Sequence, residues 1–149
     1  MIAISTPLAS HQWGRLSFPS TLYLRPILDL LLVKVPRQWQ SEVRLGLQEA
    51  LVNAAKHGNQ LDPQKAVSVS FSATADCHWW IITDQGTGFR IPQHCCLPTE
   101  TDLIYEMGEC GRGLYILYQV FDEVRWVEHR NELHLCKRVK RWTRIPLVR

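Results

Sequence analysis

A chain of 149 residues suits one domain with a core of its own, and 46% hydrophobic with 21% charged content is that of an ordinary globular protein. A net charge of +3 makes no case for direct nucleic-acid binding, and no apolar run approaches the ~18 residues of a membrane-spanning helix. The N-terminus lacks the basic and apolar regions of a signal peptide, so a cytoplasmic protein without a membrane partner is expected.

The elements follow in order. Residues 1–12 carry no clear period. Trp13 to Phe18 suits a first strand. After a break and N-cap at Pro19-Ser20, Leu22, Leu24, Ile27, Leu28, Leu31 and Leu32 recur at helical spacing; Pro26 is tolerated only in a first turn, so the helix is expected to start near Leu22 to Arg25, and Pro36 ends it after Val35. A second helix is expected from about Gln38 to His57, with Val43, Leu47, Ala50, Leu51 and Ala54 as its apolar stripe. Leu45 and Val52 lie off that stripe, which predicts contact from more than one side. Gly58-Asn59 is read as a left-handed C-cap. Ala66 to Ser72 alternates with period two, and His78 to Thr83 is apolar on both faces, so the pair reads as a hairpin turning at Thr74-Ala75-Asp76. Trp79 and Trp80 point to opposite sides of the second strand. Arg90 to Gly108 is a long connection without a period. A third helix follows Gly113, then strands Val124 to Glu128 and Glu132 to Cys136, then a basic tail from Lys137. Paired strands interrupted by helices predict an α+β domain, a mixed, mostly antiparallel sheet with helices on one face. Its core spans about 14–137, with 1–12 and 138–149 as extensions. Five cysteines without a C-x-x-C pair are read as reduced thiols, not metal ligands.

Three clusters carry chemistry. Glu49, Asn53 and His57 stand at i, i+4 and i+8, so an α-helix would stack them on one stripe. Asp84-Gln85-Gly86-Thr87-Gly88 follows a strand; an aspartate there can accept from an exocyclic amine, and glycines let backbone come close. Gly111-Arg112-Gly113 opens a helix, where backbone N–H groups and the dipole favour phosphate. An asparagine oxygen is a hard ligand for Mg²⁺, and a carboxylate one turn away can orient or deprotonate an attacking group.

Glu49-x-x-x-Asn53-x-x-x-His57-Gly58 resembles the N box of the GHKL (Bergerat-fold) ATPases. Asp84-x-Gly86-x-Gly88-Phe89 resembles their G1 box, and Gly111-Arg112-Gly113-Leu114 their G2 box. The resemblance runs from roughly Phe18 to Cys136 and is greatest to the bacterial anti-sigma-factor serine/threonine kinases, given the His57-Gly58-Asn59 ending and Gly111 to Ile116 with Asp122-Glu123-Val124 after it. It implies a two-layer sandwich with a long ATP lid, and ATP with Mg²⁺ as ligands. Asn53 would hold the metal, and Glu49 would be the catalytic carboxylate. Asp84 would bind the adenine amine, and Gly86 and Gly88 would shape the pocket. Gly111, Arg112 and Gly113 would meet the phosphates, with His57 lining their side. It also implies a STAS-domain anti-anti-sigma factor as phosphoacceptor, a sigma factor as second partner, and a homodimer. The alternatives are a non-catalytic ATP-dependent binding module and the catalytic domain of a split histidine kinase.

Two positions depart from the family pattern. Glu109 or Cys110 stands where some anti-sigma kinases carry a phosphate-facing arginine, and Glu132 or Leu133 stands where many members carry a threonine near the adenine.

Overall fold

The computed structural model describes residues 12–88 and 109–139, apart from the side chains of 109–111. The long connection Arg90 to Gly108, both chain ends and most of the basic tail lie outside these residues. Five strands form one sheet in the order β1-β2-β3-β5-β4, with β1 Gly14–Pro19, β2 Ala66–Ala73, β3 Cys77–Thr83, β4 Glu123–Val127 and β5 Glu132–Arg138. Among the described residues every pairing is antiparallel, in keeping with the mostly antiparallel sheet expected from the sequence.

Register puts the alternate residues of each strand on a common face. Leu16, Val69, Ile82, Leu133 and Trp126 form one row across the sheet, and Gly14, Phe71, Trp80, Leu135 and Val124 the next. This face packs against α1 (Arg25–Leu31), α2 (Arg37–Val52) and α3 (Glu109–Val120) in a single core that includes Leu28, Val43, Leu47, Leu51, Leu114, Leu117 and Trp80. Trp80 is buried there, edge-on to Phe121, whereas Trp79 is half-buried on the other face beside Cys136. The molecule is an α+β two-layer sandwich. No described helix is long and apolar enough to cross a membrane.

Helix boundaries differ from expectation where tertiary contacts decide. Pro26 sits in the first turn of α1, as its missing donor requires, but the α-helix stops at Leu31. Val35 instead donates to Leu32 O at 2.9 Å, an i→i−3 bond of a tighter turn that precedes Pro36. Gly46 of α2 faces the end of α3: a methyl there would stand 2.6 Å from the Phe121 ring and 2.8 Å from Val120. The helix is thus contacted from several sides, and Val52 packs on the core, but Leu45 is exposed. α3, described over Glu109–Val120, already includes Gly111 to Gly113, so these glycines lie inside the helix and not ahead of it. Lys137 does not begin a solvated tail. It is a buried residue of β5, donates to Glu42 Oε1 at 2.7 Å and Val120 O at 2.6 Å, and lies 4.6 Å above the Trp39 ring. At that end of the sheet Cys77 and Cys136 are free thiols with sulfurs 2.8 Å apart. Burial, then Cys77, pushes the Cys136 thiol far up.

Candidate functional site

α2 does not continue as an α-helix to His57. At Asn53 the ladder widens into a π-helical turn, Asn53–Gly58, closed by Asn59 N–H donating to Ala54 O at 2.9 Å. A π turn spans i→i+5, so residues beyond Asn53 fall out of α phase. Glu49 and Asn53 keep their one-turn stacking, but His57 is half-buried and does not line the cleft described below; the predicted stripe of three is a pair. The left-handed cap expected at Gly58-Asn59 comes later, at Gln60 (φ 55) and Leu61 (φ 56), while Asn59 stays right-handed.

Gly58 has a different use. A methyl on it would stand 2.4 Å from Asp84 Cγ, and a methyl on Gly86 would stand 2.0 Å from the Gly58 carbonyl oxygen. The two glycines let the helix end and the Asp84 loop stack directly, a contact any Cβ would break. Gly88 takes a left-handed backbone (φ 105), which glycine tolerates at no steric cost.

Asp84 follows β3 directly and is half-buried. Gly86 N–H donates to its Oδ1 at 2.8 Å, and its own N–H reaches Asn131 O at 3.2 Å. Burial raises its pKa above the ordinary carboxylate value; the Gly86 bond and the charge of Lys65 offset part of that rise. Asn59, wholly buried, braces the loop from behind. Its Oδ1 accepts from Gln85 N–H at 2.7 Å, and its Nδ2 donates to Ser20 Oγ and Ala66 O.

Between the helix and the β4–β5 corner lies a cleft of about 430 Å³, open mouth included. Ala50, Ala54, Ile82, Leu133, Trp126 and Val127 supply apolar walls; Asn53, Asp84, Glu128, Asn131 and Glu132 supply polar ones. Of the pair at the threonine position, Leu133 belongs to the core-facing row, while the Glu132 carboxylate is taken by His134 Nε2 at 2.8 Å. Among the described residues, no side-chain hydroxyl lines this cleft.

The third cluster reaches the first. A methyl on Gly113 would come 3.1 Å from Glu49 Oε2 and 3.6 Å from Asn53 Nδ2, so α3 lies directly over this pair at Gly113. Asn53 thus belongs both to the cleft and to the Glu49–Gly113 contact. Arg112 is exposed on α3, outside the cleft lining, and Gly111 lies in the same helix.

A cleft with apolar and polar walls, Asp84 among the latter, thus lies beside a carboxylate and a carboxamide that face α3 at Gly113. Residues 28–137 match the histidine kinase-like ATPase domain. The chain belongs to that family. The GHKL chain is also 29% identical to the serine-protein kinase RsbW of Bacillus subtilis (strain 168), over 59% of its own length and 57% of that protein. It is 30% identical to the RsbW of Bacillus licheniformis, over 56% and 54%. It therefore spans little more than half the length of these curated relatives. The sequence offers Asn59 only as part of a helix cap and gives Asn131 no role; the folded contacts show that both grip the Asp84 loop.

Proposed function

We propose that the chain is an ATP-dependent protein serine/threonine kinase of the anti-sigma type, and that the cleft holds the adenine of ATP. The observation that carries this reading is the convergence of Gly113 on Glu49 and Asn53 beside the Asp84 cleft. The family membership supports ATP as the ligand, and the two relatives, both serine-protein kinases by name, support the acceptor type.

The donors fit Mg²⁺. Asn53 Oδ1 and the Glu49 carboxylate are hard oxygens in one place, and Mg²⁺ needs only one or two protein oxygens when phosphates and water supply the rest. Asn53 would hold the ion, which supplies charge neutralisation on the triphosphate. Asp84 accepts from the adenine amine, and the apolar walls exclude water around the base. Glu49 takes or orients the proton of an incoming serine or threonine hydroxyl, a contribution of about 10²–10⁴-fold. Gly111, Arg112 and Gly113 would meet the phosphates, with Gly113 seated against Glu49 and Asn53. The acceptor is a STAS-domain anti-anti-sigma factor, and a sigma factor is the competing partner.

The test is incubation with labelled ATP, Mg²⁺ and STAS-domain proteins from the same genome. Phosphoserine or phosphothreonine on one of them is expected, lost by at least about 10²-fold in Glu49→Gln while ATP still binds. Tight ATP binding with no transfer to any of them would favour a non-catalytic module. Acid-labile phosphohistidine would favour a split histidine kinase.

A further inference from the structure

The Asp84 loop is held on its second side by a residue to which nothing above assigns a role in binding. Asn131 occupies the left-handed corner (φ 51) between β4 and β5 and lines the cleft. Its carbonyl accepts Asp84 N–H at 3.2 Å, and its Nδ2 donates to the Gly86 carbonyl at 2.7 Å. Gly86 N–H in turn donates to Asp84 Oδ1 at 2.8 Å. One side chain and one carbonyl therefore fix both ends of Asp84-Gln85-Gly86, and through Gly86 they fix the plane of the carboxylate. A left-handed corner asks only for a glycine or an asparagine. An amide donor is an additional feature, and it is spent on the loop.

We propose that Asn131 is a positioning residue for the nucleotide base. It holds the Gly86 peptide so that Oδ1 of Asp84 stays engaged by backbone and the carboxylate is already oriented before a base enters. This rests on the reading of the cleft as an adenine site. Preorganisation of this kind acts on ligands that carry the base and not on those that carry phosphate alone.

The experiment titrates the full chain with ADP and, separately, with inorganic tripolyphosphate, both with Mg²⁺. The variants are Asn131→Gly, which keeps the left-handed corner, and Asn131→Asp, which keeps the shape but removes the donor and sets a carboxylate against the Gly86 carbonyl. Losing one hydrogen bond of this type predicts about three- to tenfold weaker ADP binding in the first and at least that in the second, with tripolyphosphate changed by less than about twofold. General loosening of the fold would weaken both ligands together, and that outcome overturns the inference. So does ADP binding unchanged in both variants. If Asn131→Gly melts too low to titrate, Asn131→Asp carries the comparison. A wild-type chain that binds tripolyphosphate but not ADP overturns the adenine reading itself, and the inference with it.

Discussion

Asp84 carries a charge that the fold resists and that the proposed adenine contact uses. Burial raises its pKa, so the folded chain holds this proton more tightly than the unfolded chain does. The sign follows from linkage. The stability associated with Asp84 is fully present below its unfolded pKa and is lost as pH rises through the raised folded value. Asp84→Asn should therefore melt at the same temperature or higher at neutral pH. It should nevertheless lose about 1.5–3 kcal/mol of adenine-nucleotide binding, the worth of a hydrogen bond to a charged group. In the wild type, nucleotide affinity should fall with decreasing pH at a higher pH than an ordinary aspartate would give. Calorimetric titration across pH, beside thermal melts of both proteins, checks all three. A variant that is less stable at neutral pH and binds ADP normally would remove Asp84 from the site.

Among the elements, α3 and the π turn decide how the motifs meet. Gly113 sits inside a helix, where alanine would be favoured by about 0.8–1.0 kcal/mol. A methyl there would also crowd Glu49 Oε2 at 3.1 Å. Gly113→Ala should hold or raise the melting temperature. Phosphoryl transfer should fall by about ten- to a hundredfold, as a misplaced catalytic group predicts. Transfer at the wild-type rate would show that the contact has no role in transfer. These two elements also mark where sequence reading stops. Strand positions, Pro26 in a first turn, the split of Trp79 from Trp80, and the pairing of Glu49 with Asn53 follow from period and local chemistry, and all are present. The widened turn at Asn53, the packing of Gly113 on Glu49, the burial of Lys137 over Trp39, and the grip of Asn59 on Gln85 arise from contacts distant in sequence. Period and propensity carry no record of those contacts. The meaning of Gly58 changes for the same reason. It is required by its contact with Asp84, a residue of another element, and not by a left-handed cap.

At the scale of the whole molecule, the sheet order gathers one site from four stretches of chain. β3 and β5 pair at the centre, with Thr83 opposite Glu132, so the Asp84 loop and the β4–β5 corner emerge side by side at one end. α2 crosses that face with Asn53 toward the cleft, and α3 closes over Glu49. The free thiols Cys77 and Cys136 lie at the opposite end of the same strand pair. The most direct measurement of the central claim is a backbone NMR titration of the full chain with ATP and Mg²⁺. Shifts concentrated at Asn53, Asp84, Gly86, Gly88, Gly113 and Asn131 are predicted, with Cys77 and Cys136 unmoved. Shifts absent from Asp84 to Gly88, or confined to other surfaces, would contradict the cleft as the nucleotide site.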